Sequence, residues 1–509
     1  MHRQQVRSAK CGVRSATSKV RSAKCEVRRA TSKVRRATCE ARGGSTRLLL
    51  TLAGIVSAGA LVPTAARAQS ATFVQAREAP GTLQAAALPV GIPEPLDFWQ
   101  GLGDTTLARL TAEALRANRD ARGAEARVAQ FRAARLNAAL DLAPTVTVAA
   151  GYTRQRIAQA SFGLPVPNRG LWDGEVRAEW EVDVFGRLRH SLRGQDALAA
   201  SAGDNQRDVQ RLVAAELATA YFALRGVQDQ LNVARRNAEN QRGTLQLTRD
   251  RLDAGRGTGF DTERAQAQLS TTLAGIPTLE AEVAVARYRI GVLVGRDPRS
   301  VDLGEGGTLP PLPETLALGD TETRILARPD VMAAERRLAA ETAFVGAAKA
   351  DYLPRISIGG TAGFTSTEFD SLGRSGSGRY AVGPVVTWPL LNLGRVRARV
   401  DAARALEAEA TARYEQTLLL AREEMESAQV AYHKARERLD RLTEAAEASA
   451  RAAQLARIRY EGGVADFLQV LDAERSLLSA QNQLAEGRTD AVTALVAVYR
   501  ALGAGPPGR

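Results

Sequence analysis

Cysteine is the first absence. The 509-residue chain has three, Cys11, Cys25 and Cys39. Everything after position 39 therefore lacks a disulfide, a thiolate nucleophile or a cysteine-held metal. Histidine is as scarce, at His2, His190 and His433. The latter two are isolated among charged residues of helical segments, which suits a solvated position better than a ligand. No H-E-x-x-H, G-x-S-x-G or P-loop pattern occurs. Gly255-x-Gly257-x-Gly259 lacks the preceding strand and glycine spacing of a nucleotide loop, and a helix-breaking turn explains it. The carboxylates fall into no acid–base motif. These absences point to no enzyme and no cofactor.

Basic charge is missing where a nucleic-acid binder would need it. The net charge is +13, but residues 1–68 hold 15 Lys/Arg against 2 Asp/Glu, and the remainder holds 54 of each. The body has no basic footprint and no nucleic-acid partner is expected. Aromatics make up 5% of the chain, and no proline interrupts 187–254 or 395–461. What remains is rich in Ala, Leu, Arg and Glu, the composition of long and often coiled helices.

The prefix is distinct. From Val6 a 14-residue unit repeats, with cysteines at 11, 25 and 39. Residues 1–44 are either a basic, cysteine-bearing arm or a start site placed too far upstream over repeated DNA. Residues 45–68 follow as Arg47, an apolar run from Leu48 to Val62, and Ala66-Arg67-Ala68. This reads as a secretory signal peptide cut after Ala68. A membrane-spanning anchor is the competing reading, but the run is short and carries Gly54, Gly59 and Pro63. A lipidated cysteine would follow the run, and Cys39 precedes it. The mature chain is expected to start at Gln69 and to be exported.

The body repeats itself at an offset of 208. Leu247-x-Arg249-x-Arg251-x3-Gly255 matches Leu455-x-Arg457-x-Arg459-x3-Gly463, and Trp180-x5-Gly186-Arg187 matches Trp388-x5-Gly394-Arg395. Each unit predicts helix, strand, loop, strand, very long helix, break, helix. The helices are expected at 104–142, 187–254 and 261–294, then at 320–352, 395–461 and 467–502. A 68-residue helix would span roughly 100 Å and calls for side-by-side packing. Pro277 is expected to bend its helix. The division is then 69–103, an N-terminal segment; 104–295, the first repeat; 296–319, a linker; 320–503, the second repeat; and 504–509, a tail.

Four segments alternate with period two. In Glu175–Val184 the odd positions Glu175, Arg177, Glu179, Glu181 and Asp183 are charged, and the even ones Val176, Ala178, Trp180, Val182 and Val184 are apolar. Thr145–Tyr152, 355–365 and 380–388 alternate likewise. A half-buried soluble sheet alternates too. Two features favour a membrane-crossing sheet: strands of about 9–11 residues, and aromatics at strand ends, Tyr152, Trp172, Trp180, Tyr380 and Trp388, as in an interfacial girdle. Four strands cannot close a barrel, and open edges cannot face lipid. Several copies must then share one barrel.

The order of these parts resembles the TolC family of outer-membrane channels. The OprM/NodT-type branch, which serves RND efflux pumps, is the nearer likeness. The carrying residues are Asp97-Phe98-Trp99-x3-Gly103-Asp104, Trp180-Glu181-Val182-Asp183-x-Phe185-Gly186-Arg187 and Tyr460-x-Gly462-Gly463-x4-Leu468-x3-Asp472-Ala473-x-Arg475-x-Leu477. The resemblance covers about residues 95–503. It implies a mainly α fold with a small β part. In it, a homotrimer builds a 12-stranded barrel in outer-membrane lipid and a long α-helical barrel in the periplasm. It also implies a periplasmic adaptor and an inner-membrane RND-type pump as partners. Many members of this branch carry a lipidated N-terminal cysteine, and none follows position 68 here.

The expected role is a passive exit duct of a tripartite efflux pump. The alternatives are the duct of a type I protein-secretion system, or a non-channel coiled-coil adhesin or scaffold. With only Met332 and Met425 after the prefix, a metal-ion cargo is disfavoured. On residues alone, Asp472 and Arg475 are a surface ion pair on one helical face, with Leu468 on a neighbouring stripe. The resemblance implies instead that Leu468 and Asp472 form a periplasmic constriction, with Tyr460 and Arg475 latching it. It also implies that the helix-break tips, with Gly255, Gly257, Gly259, Gly462 and Gly463, meet the adaptor. The charged strand face would line the lumen.

Overall fold

A computed structural model describes residues 104–156, 169–301, 303, 309–313 and 320–503. The repetitive prefix, the signal segment, the segment 69–103 with Asp97-Phe98-Trp99, most of the 296–319 linker after 303 and the tail 504–509 lie outside the described residues.

The first repeat contains α1 (Thr105–Ala117), α2 (Arg119–Leu140), β1 (Thr145–Gln155), β2 (Arg169–Val182), α3 (Arg187–Asp253) and α4 (Gly259–Leu293). The second contains α5 (Thr321–Leu326), α6 (Pro329–Ala350), β3 (Arg355–Ser366), β4 (Gly378–Thr387), α7 (Leu393–Glu461) and α8 (Phe467–Ala501). The 67-residue α3 and 69-residue α7 run without a break. Helix α4 continues through Pro277. Among the described residues no helix is long and apolar enough to cross a membrane.

Two expected helices are each broken once. The segment 104–142 splits at Asn118, whose ψ of 138° leaves the helical region. Its Oδ1 accepts from the Asp120 and Ala121 amides at 2.8 and 3.1 Å, capping α2. The segment 320–352 splits at Arg328, because Pro329 disfavours helical backbone in the residue before it.

Both break residues do the same work at corresponding places. Asn118 Nδ2 donates to the Leu293 carbonyl at 2.9 Å, and Arg328 Nη1 donates to the Ala501 carbonyl at 2.9 Å. Each acceptor lies in the last turn of its repeat's final helix, where carbonyls lack intrahelical donors. A left-handed glycine follows each, Gly295 at φ 74° and Gly503 at φ 72°. A Cβ on Gly295 would meet the Ala117 carbonyl oxygen at 2.3 Å.

The second lock is ionic. Arg328 is 2% exposed and binds Asp330 and Glu424, each at 2.8 Å. Arg500 reaches the other Glu424 oxygen at 2.8 Å, and Arg211 lies 3.9 Å from Asp330. Burial opposes ionisation of Asp330 and Glu424, but the Arg328 hydrogen bonds and charge outweigh it and hold both carboxyls below their ordinary values.

Apolar packing supplies the rest. One cluster joins Leu107, Leu217, Tyr221, Phe222 and Ile290 across α1, α3 and α4. A second joins Ile325, Val331, Met425, Tyr432 and Leu495 across α5 to α8. A third, near the helix breaks, joins Leu245, Leu269, Tyr460, Phe467 and Leu471. Each fully buried side chain of this size contributes about 1.5–3 kcal/mol.

The four strands form one antiparallel sheet in the order β1-β2-β3-β4. Among the described residues, strands β1 and β4 each pair on one side only.

Candidate functional site

The sheet register sorts side chains by parity across all four strands. Val148 faces Val176, Val176 faces Ala362 and Ala362 faces Tyr380. Even-numbered residues thus share one face. It is apolar and bare: Tyr380 is 85% exposed, Val148 80% and Val382 75%. An uncovered apolar sheet face of this kind needs lipid or another protein against it.

The odd face is polar. Glu175 binds Arg177 and Arg379, each at 2.7 Å. Glu181 takes both ends of the Arg187 fork, at 2.9 and 2.7 Å. Glu179 sits between Thr145 and Gly359 and has no ion-pair partner among the described residues. Asp183 corrects the expectation. Strand β2 ends at Val182, and the Asp183 carboxylate instead accepts from the Leu188 and Arg189 amides at 3.2 and 2.9 Å. It serves the N-terminus of α3, where amides lack intrahelical partners and the helix dipole favours an anion.

The aromatics fall at two levels. Toward the helices, Trp180 Nε1 donates to the Leu142 carbonyl at 2.9 Å and Trp388 Nε1 to the Tyr352 carbonyl at 3.0 Å. These are corresponding bonds in the two repeats. Trp388 lies just past β4, which ends at Thr387. Toward the loops, Tyr152 and Trp172 have ring centroids 4.7 Å apart, and Phe369 packs edge-on to Trp172 at 5.1 Å. Tyr380 stands on the same face, opposite Ala362. Phe369 lies in the β3–β4 loop, so strand alternation gave no hint of it.

At the far end of the long helices the two breaks are matched turns. The Gly255 amide donates to Leu252 and the Arg256 amide to the Arg251 carbonyl, at 2.9 and 2.8 Å. The Gly463 amide donates to Tyr460 and the Val464 amide to Arg459, both at 2.9 Å. These are Schellman closures, with Gly255 at φ 69° and Gly463 at φ 75°. Thr258 and Asp466, again 208 apart, cap the helices that follow by accepting from the Asp261 and Gln469 amides. The other glycines differ. A Cβ on Gly257 would meet the Leu252 amide nitrogen at 3.1 Å, Gly462 has helical angles, and a Cβ on Gly259 would meet open space.

The tips touch through a residue read in the sequence only as part of the repeat. Arg251 lays its guanidinium 4.2 Å from the Tyr460 ring centre and donates to the Glu461 carbonyl at 3.1 Å. Tyr460 itself is 5% exposed, packed on Phe467 at 5.7 Å.

Leu468 is 50% exposed, on the side of α8 away from buried Phe467, Val470 and Leu471. Asp472 is exposed and has no ion-pair partner among the described residues. The expected pair with Arg475 does not form within the chain, because Arg475 Nε donates to Gln268 Oε1 on α4 at 2.7 Å. Beside it, Glu474 faces inward and accepts from Thr244 Oγ1 at 2.6 Å. Burial raises the Glu474 carboxyl above its ordinary value, against the Thr244 bond and the Arg457 charge. Asn237, Gln241, Thr244 and Thr248 form a buried polar stripe on α3 at heptad spacing.

The comparisons with known proteins agree with this architecture. The profile of the family described as Outer membrane efflux protein matches residues 110–296 and 323–504. Outer membrane protein OprJ of Pseudomonas aeruginosa is 31% identical over 419 residues, covering 81% of this chain and 87% of that protein. The probable efflux pump outer membrane protein SepC of Pseudomonas putida is 30% identical over 403 residues, covering 79% and 84%. The solved structure of the outer-membrane channel OprN superposes with a TM-score of 0.75 at 41% identity, covering 80% of this chain and 92% of that one.

Proposed function

This chain belongs to the outer membrane efflux protein family, and from that premise we propose that it is the passive exit duct of a tripartite RND-type efflux pump. It is an outer-membrane, TolC-like protein. Three copies would each lend four strands to a 12-stranded barrel, pairing the free edge of β1 with that of β4 in a neighbour. The even face would meet lipid and the odd face the water-filled lumen. Helices α3, α4, α7 and α8 would carry the lumen through the periplasm to the Gly255 and Gly463 tips. There a periplasmic adaptor would dock and join the duct to an inner-membrane pump that supplies the energy. Leu468 and Asp472, exposed near the tips, would ring the axis as the constriction.

One observation carries this reading. The sheet has a bare apolar face, a charged opposite face and two edges unpaired among the described residues, which no single chain in water or lipid can satisfy. Two measurements test it: the mass of the detergent-solubilised protein, and conductance across a planar bilayer. Trimers that conduct support the duct. A stable monomer with native strand content, or a trimer that inserts without conducting, refutes it.

A further inference from the structure

The two ends of the sheet treat their arginines differently. Toward the helices most are neutralised, Arg187 by Glu181, Arg189 by Asp183, and Arg355 and Arg399 by Asp351, while Arg395 has no ion-pair partner among the described residues. Toward the loops Arg154, Arg156 and Arg374 meet no carboxylate among the described residues. Residues 157–168, which follow Arg156, contain no Asp or Glu. Neither does β4, the strand whose free edge would close against β1. Glu368 and Asp370 share the β3–β4 loop with Arg374 and pair with none of the three. Asp173 is on the opposite face, bound to Thr365 and 3.6 Å from Arg379.

Position adds to charge. Arg154 is on the apolar face, two residues past Tyr152, and is opposite Gly170 in the register. The Tyr152 hydroxyl leans over Gly170, where a Cβ would meet it at 2.5 Å. The Tyr152 hydroxyl and the Arg154 backbone therefore stand at one level, just beyond the Tyr152–Trp172–Phe369 aromatics. Eight residues separate Trp172 from Trp180, about 27 Å along the strand and roughly 21 Å across a bilayer at usual barrel tilts. The unpaired arginines then lie where headgroups begin.

We infer that Tyr152, Arg154, Arg156 and Arg374 form a rim that binds the anionic phosphomonoester headgroup of an outer-leaflet glycolipid. Arginine suits such a ligand because its planar fork matches phosphate oxygens. The inference rests on reading the sheet as a membrane barrel wall.

The experiment titrates lipid A, a bisphosphorylated glycolipid, into the detergent-solubilised full chain. Phosphatidylcholine and inorganic phosphate serve as parallel titrants. The variants are the exposed pair R154Q/R156Q and, separately, R374Q. A surface arginine contributes about fivefold to binding of an anionic lipid, so the pair should weaken lipid A roughly 30-fold. Phosphatidylcholine and free phosphate should bind wild type and variants alike. Equal lipid A affinity in wild type and the double variant overturns the inference, as does binding of free phosphate as tight as that of lipid A. Conductance in phosphatidylcholine bilayers is recorded alongside. A conducting wild type with no arginine effect removes only the headgroup site, whereas a non-conducting wild type removes the barrel reading beneath it.

Discussion

Replacing Arg328 with methionine tests whether the ionic lock holds the second repeat together. Arg328 is 2% exposed and donates to Asp330, Glu424 and the Ala501 carbonyl. Methionine keeps much of the volume and removes every donor. Breaking a buried pair costs about 3–5 kcal/mol, because the partner charge stays buried. The lower end applies here, since Arg500 still binds Glu424 and Arg211 still lies near Asp330. For a repeat of this size, about 3 kcal/mol lowers the melting midpoint by on the order of 6–12 °C. The pH dependence is the sharper check. Both carboxyls sit below their ordinary values of 3.8 and 4.5. Their stabilisation is present above those values and is lost as pH falls through the lowered ones. In the variant those values rise, so the gap between the proteins should be full at pH 7 and shrink below about 4. Helical circular dichroism melts across that range measure it. An unchanged midpoint at neutral pH, or a gap that stays constant into acid, would refute the reasoning.

Placing leucine at Gly463 or Gly255 forces a branched residue into left-handed backbone at about 1–2 kcal/mol. Efflux in cells should fall while the solubilised protein still migrates as wild-type oligomer. Normal efflux would remove the tips as a docking surface. Replacing Leu468 and Arg475 together by alanine removes the proposed apolar seal and the α8–α4 hydrogen bond, and should raise closed-state conductance and uptake of a large antibiotic. Wild-type conductance would place the constriction elsewhere. Glu474→Gln removes a carboxyl whose folded value is raised by burial. That penalty is absent below about 4.5 and grows as pH rises through the raised value, so the variant should be more stable than wild type at pH 7 and equal to it in acid. Equal melting at both pH values counts against burial of the charge.

Legibility in the sequence followed the range of the cause. The long helices and the strands could be read because their patterns repeat locally, at three to four residues or at two. Gly255 and Gly463 were legible for the same reason: a left-handed helix end is a local need. The splits at Asn118 and Arg328 were not anticipated. Asn118 and Arg328 are tied to carbonyls 175 and 173 residues away, and one irregular residue does not interrupt an apolar rhythm. Spacing alone pairs Arg475 with Asp472, three residues away, whereas within the chain it bonds Gln268, 207 residues distant. Glu474 carries no local signal, because a glutamate beside an exposed aspartate looks like more solvated surface. Asp183 continued the strand's alternation by parity, although the backbone had already turned to begin α3.

The free edges of β1 and β4 bear on biogenesis. A lone chain offers two ragged borders of unpaired amides and carbonyls. A second chain joins one border to another and leaves two still open, so the intermediate is no better sealed than its parts. Only ring closure ends the exposure. Assembly should therefore show no resting stage, rise steeply with chain concentration, and leave stragglers as prey for proteases rather than as half-built pores. In the proposed ring of copies, the quaternary structure would thus act as the quality check, carried out by the strands themselves.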